Sequence, residues 1–402
     1  HDIGLIGGLL QTLYTGGRCT FFSPLDFLAR PARWLRAISH YRANISPAPN
    51  FAFELCARKV SAEDKVGLDL RSWVIAPNGA EPIRAETLER FSDAFGRCGF
   101  AASAHSPGYG LAEATLVVTA RPLGSGMRAV AFDPAALAQG RAQVSAAGRR
   151  LVSCGSVRGQ QRVRVVDPGT RRPLEDGAVG ELWIQGPSVA PGYWNKPEVN
   201  AEIFGARLAD SGEGPFLRSG DLGFFHEGEL YIAGRRKDLL ILRGRNQYPQ
   251  DIELTVERAH PGIRPGCVAA FAIERRGEES LGLLAELDPR ATPPVDAVVA
   301  AVCEAVAAAH DVAVSALWLV APGSIAKTSS GKLQRAACRE LAERGALDTR
   351  HHWEPSQVPA PAPPTTEAAD PAAAALQQFL TEWLARELKV PPAAITASTQ
   401  LA

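Results

Sequence analysis

Segments with the periodicity of amphipathic helices alternate with short apolar runs along most of the chain, and this alternation constrains the fold more than any other feature. Helices that alternate with short buried strands indicate a layered α/β architecture. The section 160–195 is predicted to be β-rich, because its strands flank turn-forming residues at 167–169 and 175–177. Predicted helices cover 25–42, 87–95, 251–259 and 295–309, and predicted strands cover 73–76, 162–166, 181–184, 228–233, 267–273, 281–287 and 316–320.

Composition narrows the class of protein. The 402 residues contain 43 Lys and Arg against 43 Asp and Glu, so charge gives no reason to expect nucleic acid or an acidic membrane as a partner. No apolar run approaches the roughly 18–20 residues that span a bilayer. The seven cysteines lie far apart without a CxxC pair. This spacing favours reduced thiols and a cytoplasmic location over a disulfide framework or a zinc site.

Both ends of the sequence suggest a piece of a longer protein. The chain begins at His1 in the apolar, glycine-rich stretch HDIGLIGGLLQ, which is typical of a domain interior. The composition of 355–373, rich in Pro, Ala and Thr, predicts an extended linker. Apolar residues between 376 and 388 then predict one amphipathic helix. A single helix cannot bury that face alone, so it either docks on the body or begins a further domain.

The stretch 325–335, IAKTSSGKLQR, suggests phosphate chemistry because a Gly-Lys pair follows small polar residues. A Walker A loop needs a glycine five positions before the Gly-Lys pair and Ser or Thr after it. Ala326 and Leu333 occupy those positions here, so the pattern fails. Two interpretations remain: Lys332 is a mobile cation presented to a site built elsewhere, or the stretch is a solvated turn. Alone, the stretch favours the turn.

Three more segments allow a functional and an ordinary interpretation. The first segment is SPGYGLAEAT at 106–115. Its glycines beside Tyr109 would permit close backbone approach to a ligand, and Glu113 could hold a divalent cation. The alternative interpretation is a glycine turn that precedes a buried helix. In LRSGDLG at 217–223, Asp221 is predicted in a glycine-flanked turn, either accepting ribose hydroxyls or serving as a turn or cap residue. GRRKDL at 234–239 is by default a charged surface linker.

The order of these segments is more specific than any one of them. GAEP, YGLAEAT, SGD, GRRKD and KTSSGK follow one another as in the adenylate-forming superfamily of acyl- and aminoacyl-activating enzymes, which residues 1–350 resemble. HDIGLIGG, SPAPNFAFELC, NGAEP, GPSVAPGYW and NQYPQDIE are most similar to fatty acyl-AMP ligases. This resemblance implies ATP-dependent conversion of a fatty acid to acyl-AMP, and transfer of the acyl group to a carrier-protein phosphopantetheine thiol.

The resemblance also implies a role for each matching residue. Lys332 would bridge the carboxylate and the α-phosphate, and Glu113 would act with it in catalysis by holding Mg²⁺. Lys237 would be the hinge of a mobile small domain, and His1 would line the acyl pocket. The residues implied in nucleotide binding are Gly79, Ala80, Glu81, Tyr109, Gly110, Asp221 and Arg235.

The resemblance implies a multi-domain α/β protein. The expected parts are the C-terminal part of a large adenylation domain with its β-rich subdomain (1–236), a small mobile α+β domain (237–353), a linker (354–372), and the first helix of a helical carrier domain (373–402). The last resembles carrier domains through FLTEWLARELKV and would act in cis, beside polyketide or peptide synthetase modules. The family's ATP-tail loop would precede His1, so the chain alone is expected to be inactive. An acyl-CoA ligase and an inactive carrier-binding scaffold are the alternatives.

Overall fold

The computed structural model describes residues 2–242, 245–275, 278–291, 293–328 and 331–355. The predicted helix at 376–388 and the predicted linker beyond residue 355 lie outside these ranges. An apolar π-helical stretch, Ile3–Leu10, leads into the first α-helix. The α-helices are Gln11–Thr15 (α1), Pro24–Ala29 (α2), Ala32–Tyr41 (α3), Asn50–Lys59 (α4), Ala62–Lys65 (α5), Ala85–Phe95 (α6), Pro134–Ala138 (α7), Pro197–Ile203 (α8), Pro249–Ala259 (α9), Val295–His310 (α10) and Arg335–Glu343 (α11).

The strands form small sheets rather than one continuous sheet. Of the helices in the described ranges, none combines the length with the apolar composition that a membrane span needs. The strands are Ala76–Asn78 (β1), His105–Leu111 (β2), Leu116–Ala120 (β3), Ala129–Phe132 (β4), Arg149–Val152 (β5), Ser156–Val157 (β6), Arg162–Val166 (β7), Gly180–Gln185 (β8), Leu217–His226 (β9), Glu229–Arg235 (β10), Leu240–Leu242 (β11), Arg245–Gln247 (β12), Ile263–Arg275 (β13), Glu278–Leu287 (β14), Val314–Val320 (β15) and Thr349–Trp353 (β16).

The first sheet has the order β1-β2-β3-β6, with β1 and β2 parallel and the other pairs antiparallel. Helices α4 and α6 pack against each other beside it. The core here is aromatic: the ring of Phe53 lies 5.0 Å from that of Phe91, and Trp34 lies 5.1 Å from Trp73, both edge to face. Such pairs add about 0.5–1.5 kcal/mol beyond the area they bury. This core therefore holds β1 and β2 firmly.

The β-rich part is an antiparallel sheet of order β10-β9-β8-β7. Every residue of β8 up to Ile184 is buried, so both faces of this strand are covered. The antiparallel pair β4–β5 packs on the neighbouring strands through Phe132, whose ring centroid lies 5.0 Å from that of Phe224 and 5.3 Å from that of Tyr231. The sheet thereby fixes β9 and β10, which carry two of the predicted site residues.

The last part contains a sheet of order β13-β14-β15-β16 that is covered on both faces. Because successive strand residues point to opposite faces, Val268 and Ala270 of β13 face the core beneath α9 and α10, whereas Ala269 and Phe271 face the core beneath α11. The residues of both cores all lie at or after Leu240 in the sequence. The domain boundary at 236/237 nevertheless remains a prediction.

The structure confirms several predicted elements and corrects others. The helices predicted at 87–95, 251–259 and 295–309 correspond to α6, α9 and α10, and the strand at 162–166 is β7. The helix predicted over 25–42 is wrong as one element: Pro31 lacks an N–H and is the N-cap residue of α3, so α2 and α3 are separate. The strand predicted at 73–76 lies further along, as β1.

Candidate active site

Two of the predicted nucleotide-binding segments, 79–81 and 109–110, lie toward the carboxyl end of the parallel pair β1–β2. Asn78, the last residue of β1, is in register with Pro107 of β2, so residues 79–81 and Tyr109 follow at the same edge of the sheet. Open α/β sheets bind ligands in the crevice outside this edge. Gly79 permits close contact there, because an added Cβ would lie 2.9 Å from the Gly108 carbonyl oxygen. Ala80 has the left-handed φ of 68°.

Three of the predicted residues form one hydrogen-bonded set, which we name the Tyr109–Asp221–Arg235 set. The Tyr109 hydroxyl donates to Asp221 Oδ2 at 2.8 Å, and Arg235 Nε donates to Asp221 Oδ1 at 3.0 Å. The antiparallel register of β9 and β10 places Arg235 directly opposite Asp221. Both carboxylate oxygens of Asp221 are therefore engaged by groups that come from separate segments of the sequence.

Burial governs the protonation of this set. The Asp221 side chain is buried, and burial raises the pKa of its carboxyl above the ordinary value, although the Arg235 charge and the Tyr109 hydroxyl favour the charged form. Burial and the neighbouring Asp221 charge raise the pKa of the Tyr109 hydroxyl well above its ordinary value. Tyr109 thus remains a proton donor at neutral pH, and Asp221 depends on its two partners to stay charged.

The glycines beside Tyr109 serve the sheet rather than a turn. The turn predicted at Asp221 is wrong, and so is the alternative interpretation of a glycine turn at Tyr109, because these residues lie within strands β9 and β2. A Cβ at Gly110 would lie 1.5 Å from the Leu116 carbonyl oxygen, and one at Gly108 would lie 2.9 Å from that of Thr119. Both contacts are with β3, so these glycines allow two strands to approach closely.

Glu113 lies in the short 3₁₀ turn Ala112–Ala114 that follows β2. Its Oε1 accepts a hydrogen bond of 2.6 Å from the hydroxyl of Tyr193, and its backbone carbonyl accepts one of 2.8 Å from Ala190 N–H. Thr115 Oγ1 donates to Ser188 O at 2.6 Å. The segment 188–193 therefore holds this turn at three points. The sequence predicts no role for Tyr193 beyond its place in the segment GPSVAPGYW.

A magnesium ion would fit Glu113 in the manner usual for nucleotide enzymes. Mg²⁺ is commonly held by one or two carboxylates together with substrate phosphates. Within the described ranges, no three His, Cys, Asp or Glu side chains come together in a way that could hold a metal ion. The Glu113 carboxylate is therefore the group that would hold the ion, and Tyr193 fixes its Oε1.

Residues 327–333 are named here the Lys332 loop, and the structure describes 327, 328 and 331–333 of it. Gly331 of this loop lies close to the edge that carries residues 79–81. A Cβ at Gly331 would lie 3.5 Å from Cε1 of the Phe51 ring, and Phe51 N–H donates to Glu81 Oε1 at 2.5 Å. Burial raises the pKa of the Glu81 carboxyl, while the charges of Lys332 and Lys327 oppose that rise. The two lysines are therefore close enough to Glu81 to act on its charge.

One buried amide at this edge lacks a protein partner. The Asn78 side chain is 2% exposed, and neither its Oδ1 nor its Nδ2 has a hydrogen-bond partner among the described residues. A buried amide without partners costs about 1–3 kcal/mol. A ligand that offers both a donor and an acceptor, such as a purine edge, would satisfy it. The sequence showed no sign of this residue beyond its place in NGAEP.

Two further predicted positions have different outcomes. Lys237 is exposed in the 3₁₀ turn Arg236–Asp238 that joins β10 to β11, a position compatible with a hinge. His1 lies outside the described residues.

Arg335, which was not predicted, donates two hydrogen bonds to Glu253, at 2.7 and 2.8 Å, and one to Asp238 at 2.8 Å. It therefore connects the start of α11 with that turn.

Residues 1–194 match the AMP-binding enzyme family, and residues 237–349 match the AMP domain of Disco-interacting protein 2-like proteins. The chain is 48% identical over 362 residues to the medium-chain-fatty-acid–[acyl-carrier-protein] ligase JamA of Moorena producens, covering 88% of this chain and 61% of JamA. Over these residues the chain is similar to adenylate-forming enzymes of the AMP-binding superfamily.

Two other members are also similar. The putative fatty-acid–CoA ligase fadD21 of Mycobacterium leprae is 43% identical over 356 residues, which are 86% of this chain and 61% of that protein. The crystal structure of fatty acyl-adenylate ligase from L. pneumophila, in complex with acyl adenylate and pyrophosphate, is 39% identical with a TM-score of 0.59, covering 88% of this chain and 62% of that one. This chain therefore has the mixed α/β fold of the superfamily and spans somewhat less than two thirds of these relatives.

Proposed function

We propose that the protein activates a fatty acid with ATP to give acyl-AMP and transfers the acyl group to the phosphopantetheine thiol of a carrier protein. The observation that carries the proposal is the Tyr109–Asp221–Arg235 set, which joins three separate motif segments. Identity of 48% to an acyl-carrier-protein ligase supports the choice of acid and acceptor.

In the first step, a fatty carboxylate oxygen attacks the α-phosphorus of ATP, and the bond to the β-phosphate bridging oxygen breaks to release pyrophosphate. Because two anions react, positioning and positive charge supply most of the acceleration. Lys332 donates to the carboxylate and the α-phosphate as charge accumulates between them. Glu113 would hold Mg²⁺, which when bound neutralises phosphate charge.

The nucleotide is held by the groups at the sheet edge. The Asp221 carboxylate accepts the ribose hydroxyls and Arg235 stabilises that carboxylate, since its Nε already lies 3.0 Å from Oδ1. The ring of Tyr109 and the backbone of residues 79–81 border the adenine, and Gly110 permits the strand approach that positions Tyr109. In the second step, the thiol sulfur attacks the acyl carbonyl carbon, AMP leaves, and the thiol proton passes to solvent.

The proposal extends to the parts of the chain outside the described residues. Residues 373–402 would begin a carrier domain acting in cis, and His1 would line the acyl pocket. Rotation at Lys237 would exchange the Lys332 loop for the thiol channel. A carrier tethered in this way would have an effective concentration of roughly millimolar order at the active site. This concentration suits the loading of a polyketide or peptide synthetase module. The cytoplasm is the proposed compartment.

Lys332→Ala in the full-length protein tests the central assignment. We expect acyl-AMP formation to fall by roughly 10²–10³-fold, the usual cost of removing one preorganised electrostatic group. Transfer from supplied acyl-AMP should be retained. Lys327→Ala is the matched control, because this lysine is in the same loop but donates to Gly266 O at 2.7 Å. Equal loss of both steps in Lys332→Ala would show that the lysine is structural.

The second candidate is a fatty acid–CoA ligase, favoured by 43% identity to a protein named as a putative enzyme of that kind. The two candidates differ in the acceptor thiol. Thioester formation should therefore be compared with free CoA and with a phosphopantetheinylated carrier at equal concentration. A product with CoA that forms as fast as the carrier product would favour the second candidate.

A further inference from the structure

Glu286, on β14, is a buried carboxylate outside the nucleotide site. Only 2% of its surface is exposed. Its Oε1 accepts the backbone N–H groups of Gly323 at 2.9 Å and Ile325 at 3.0 Å, and its Oε2 accepts Arg264 Nη1 at 2.6 Å. A carboxylate is costly to bury, and three hydrogen-bond donors offset that cost here.

The two backbone groups that Glu286 binds lie immediately before the Lys332 loop. Glu286 is in register with Val320, the last residue of β15, so its side chain meets the chain as it leaves the sheet. Ile325 is buried with α11 in the core on that face of the sheet. The carboxylate thus fixes where the segment after β15 turns toward Lys327.

The loop itself is closed by short contacts. Lys327 and Leu333 form an antiparallel bridge, Thr328 N–H donates to Lys332 O at 2.8 Å, and Lys332 N–H donates to Thr328 Oγ1 at 3.0 Å. Gln334 N–H donates to Ala326 O at 3.0 Å. These contacts tie residues 331–334 to residues 326–328, and Glu286 holds the chain immediately before them.

We propose that Glu286 is a positioning residue for Lys332, acting through the N–H groups of Gly323 and Ile325. The proposal rests on the function proposed above. Lys332 acts in acyl-AMP formation and not in transfer, so a displaced loop should impair the first step selectively. A carboxylate with a merely structural role would instead affect both steps together.

The test is Glu286→Asp in the full-length protein. This change keeps the buried charge and the Arg264 partner but shortens the side chain by one methylene, so its oxygens no longer reach both N–H groups. A displacement of about 1 Å can cost roughly 10²-fold in rate. We expect a loss of that order in kcat for acyl-AMP formation. Transfer from supplied acyl-AMP should remain close to that of wild type, because the substitution spares the groups of that step.

The double variant Arg264→Met, Glu286→Gln is the matched control. Its amide oxygen keeps the reach to Gly323 and Ile325, and removing Arg264 takes away the cation that would face the amide nitrogen. We expect it to keep acyl-AMP formation close to that of Arg264→Met alone. A double variant as impaired as Glu286→Asp would overturn the proposal, as would equal or absent effects of Glu286→Asp on the two steps.

Lys332→Ala measured in parallel separates the two levels of inference. If Lys332→Ala does not distinguish the two steps, the function proposed for the loop fails. If it does and Glu286→Asp does not, only the role of Glu286 fails.

Discussion

Replacing Tyr109 with Phe tests how the buried carboxylate at the nucleotide site is kept charged. The substitution retains the ring that would border adenine and removes the hydroxyl that donates to Asp221 Oδ2 at 2.8 Å. In the variant, Arg235 is the remaining member of the set whose side chain donates a hydrogen bond to Asp221. Because the Tyr109 hydroxyl favours the charged carboxylate, its loss should raise the pKa of Asp221 further.

The magnitude follows from the kind of hydrogen bond. Bonds to charged groups contribute about 1.5–3 kcal/mol. If all of this is lost from nucleotide binding, the affinity for ATP falls roughly ten- to 150-fold, at 1.4 kcal/mol per tenfold. The loss should grow as pH falls, because a raised pKa means that Asp221 takes up its proton at a higher pH and no longer accepts two ribose hydroxyls.

The assay is acyl-AMP formation at saturating fatty acid, with KM for ATP and kcat/KM measured across the acidic range. Tyr109→Phe should move the acidic limb of the kcat/KM profile to higher pH, and transfer from supplied acyl-AMP should change less. Tyr41→Phe is the control, since this tyrosine is exposed and lies in α3. An acidic limb that stays in place while ATP affinity falls would refute the coupling between Tyr109 and Asp221.

Further predictions concern other groups. Tyr193→Phe should raise the Mg²⁺ concentration needed for half-maximal acyl-AMP formation several-fold, since the 2.6 Å bond that orients Glu113 is lost; an unchanged Mg²⁺ requirement would contradict this. Burial lowers the pKa of His105 to about 4 from its ordinary 6.5, so the folded state loses stability as pH falls from about 6.5 toward 4. His105→Gln should flatten that dependence in urea-unfolding midpoints, and identical slopes would refute it.

The sequence predicted the segments of the site better than their conformation. Asp221 is predicted in a turn because glycines flank it, and a glycine turn is one of the two interpretations of the segment around Tyr109, yet both residues lie within strands. The glycines of β2 are explained instead by the approach of β3, a contact that depends on a residue pairing invisible from composition. Tyr193 could not be connected to Glu113 for the same reason, as 80 residues separate them in the chain.

The position of Lys332 depends on contacts of two different kinds, and this bears on how the lysine could leave the site. On one side, Gly331 lies beside the Phe51 ring, and the charges of Lys332 and Lys327 act on Glu81; both partners are in the first part of the chain. On the other side, Glu286 of β14 accepts hydrogen bonds from Gly323 and Ile325, in the segment that leads into the loop. If that sheet turns about Lys237, the first kind must break while the second persists. Lys332 would then leave the site together with the last sheet, because the hydrogen bonds to Glu286 are retained.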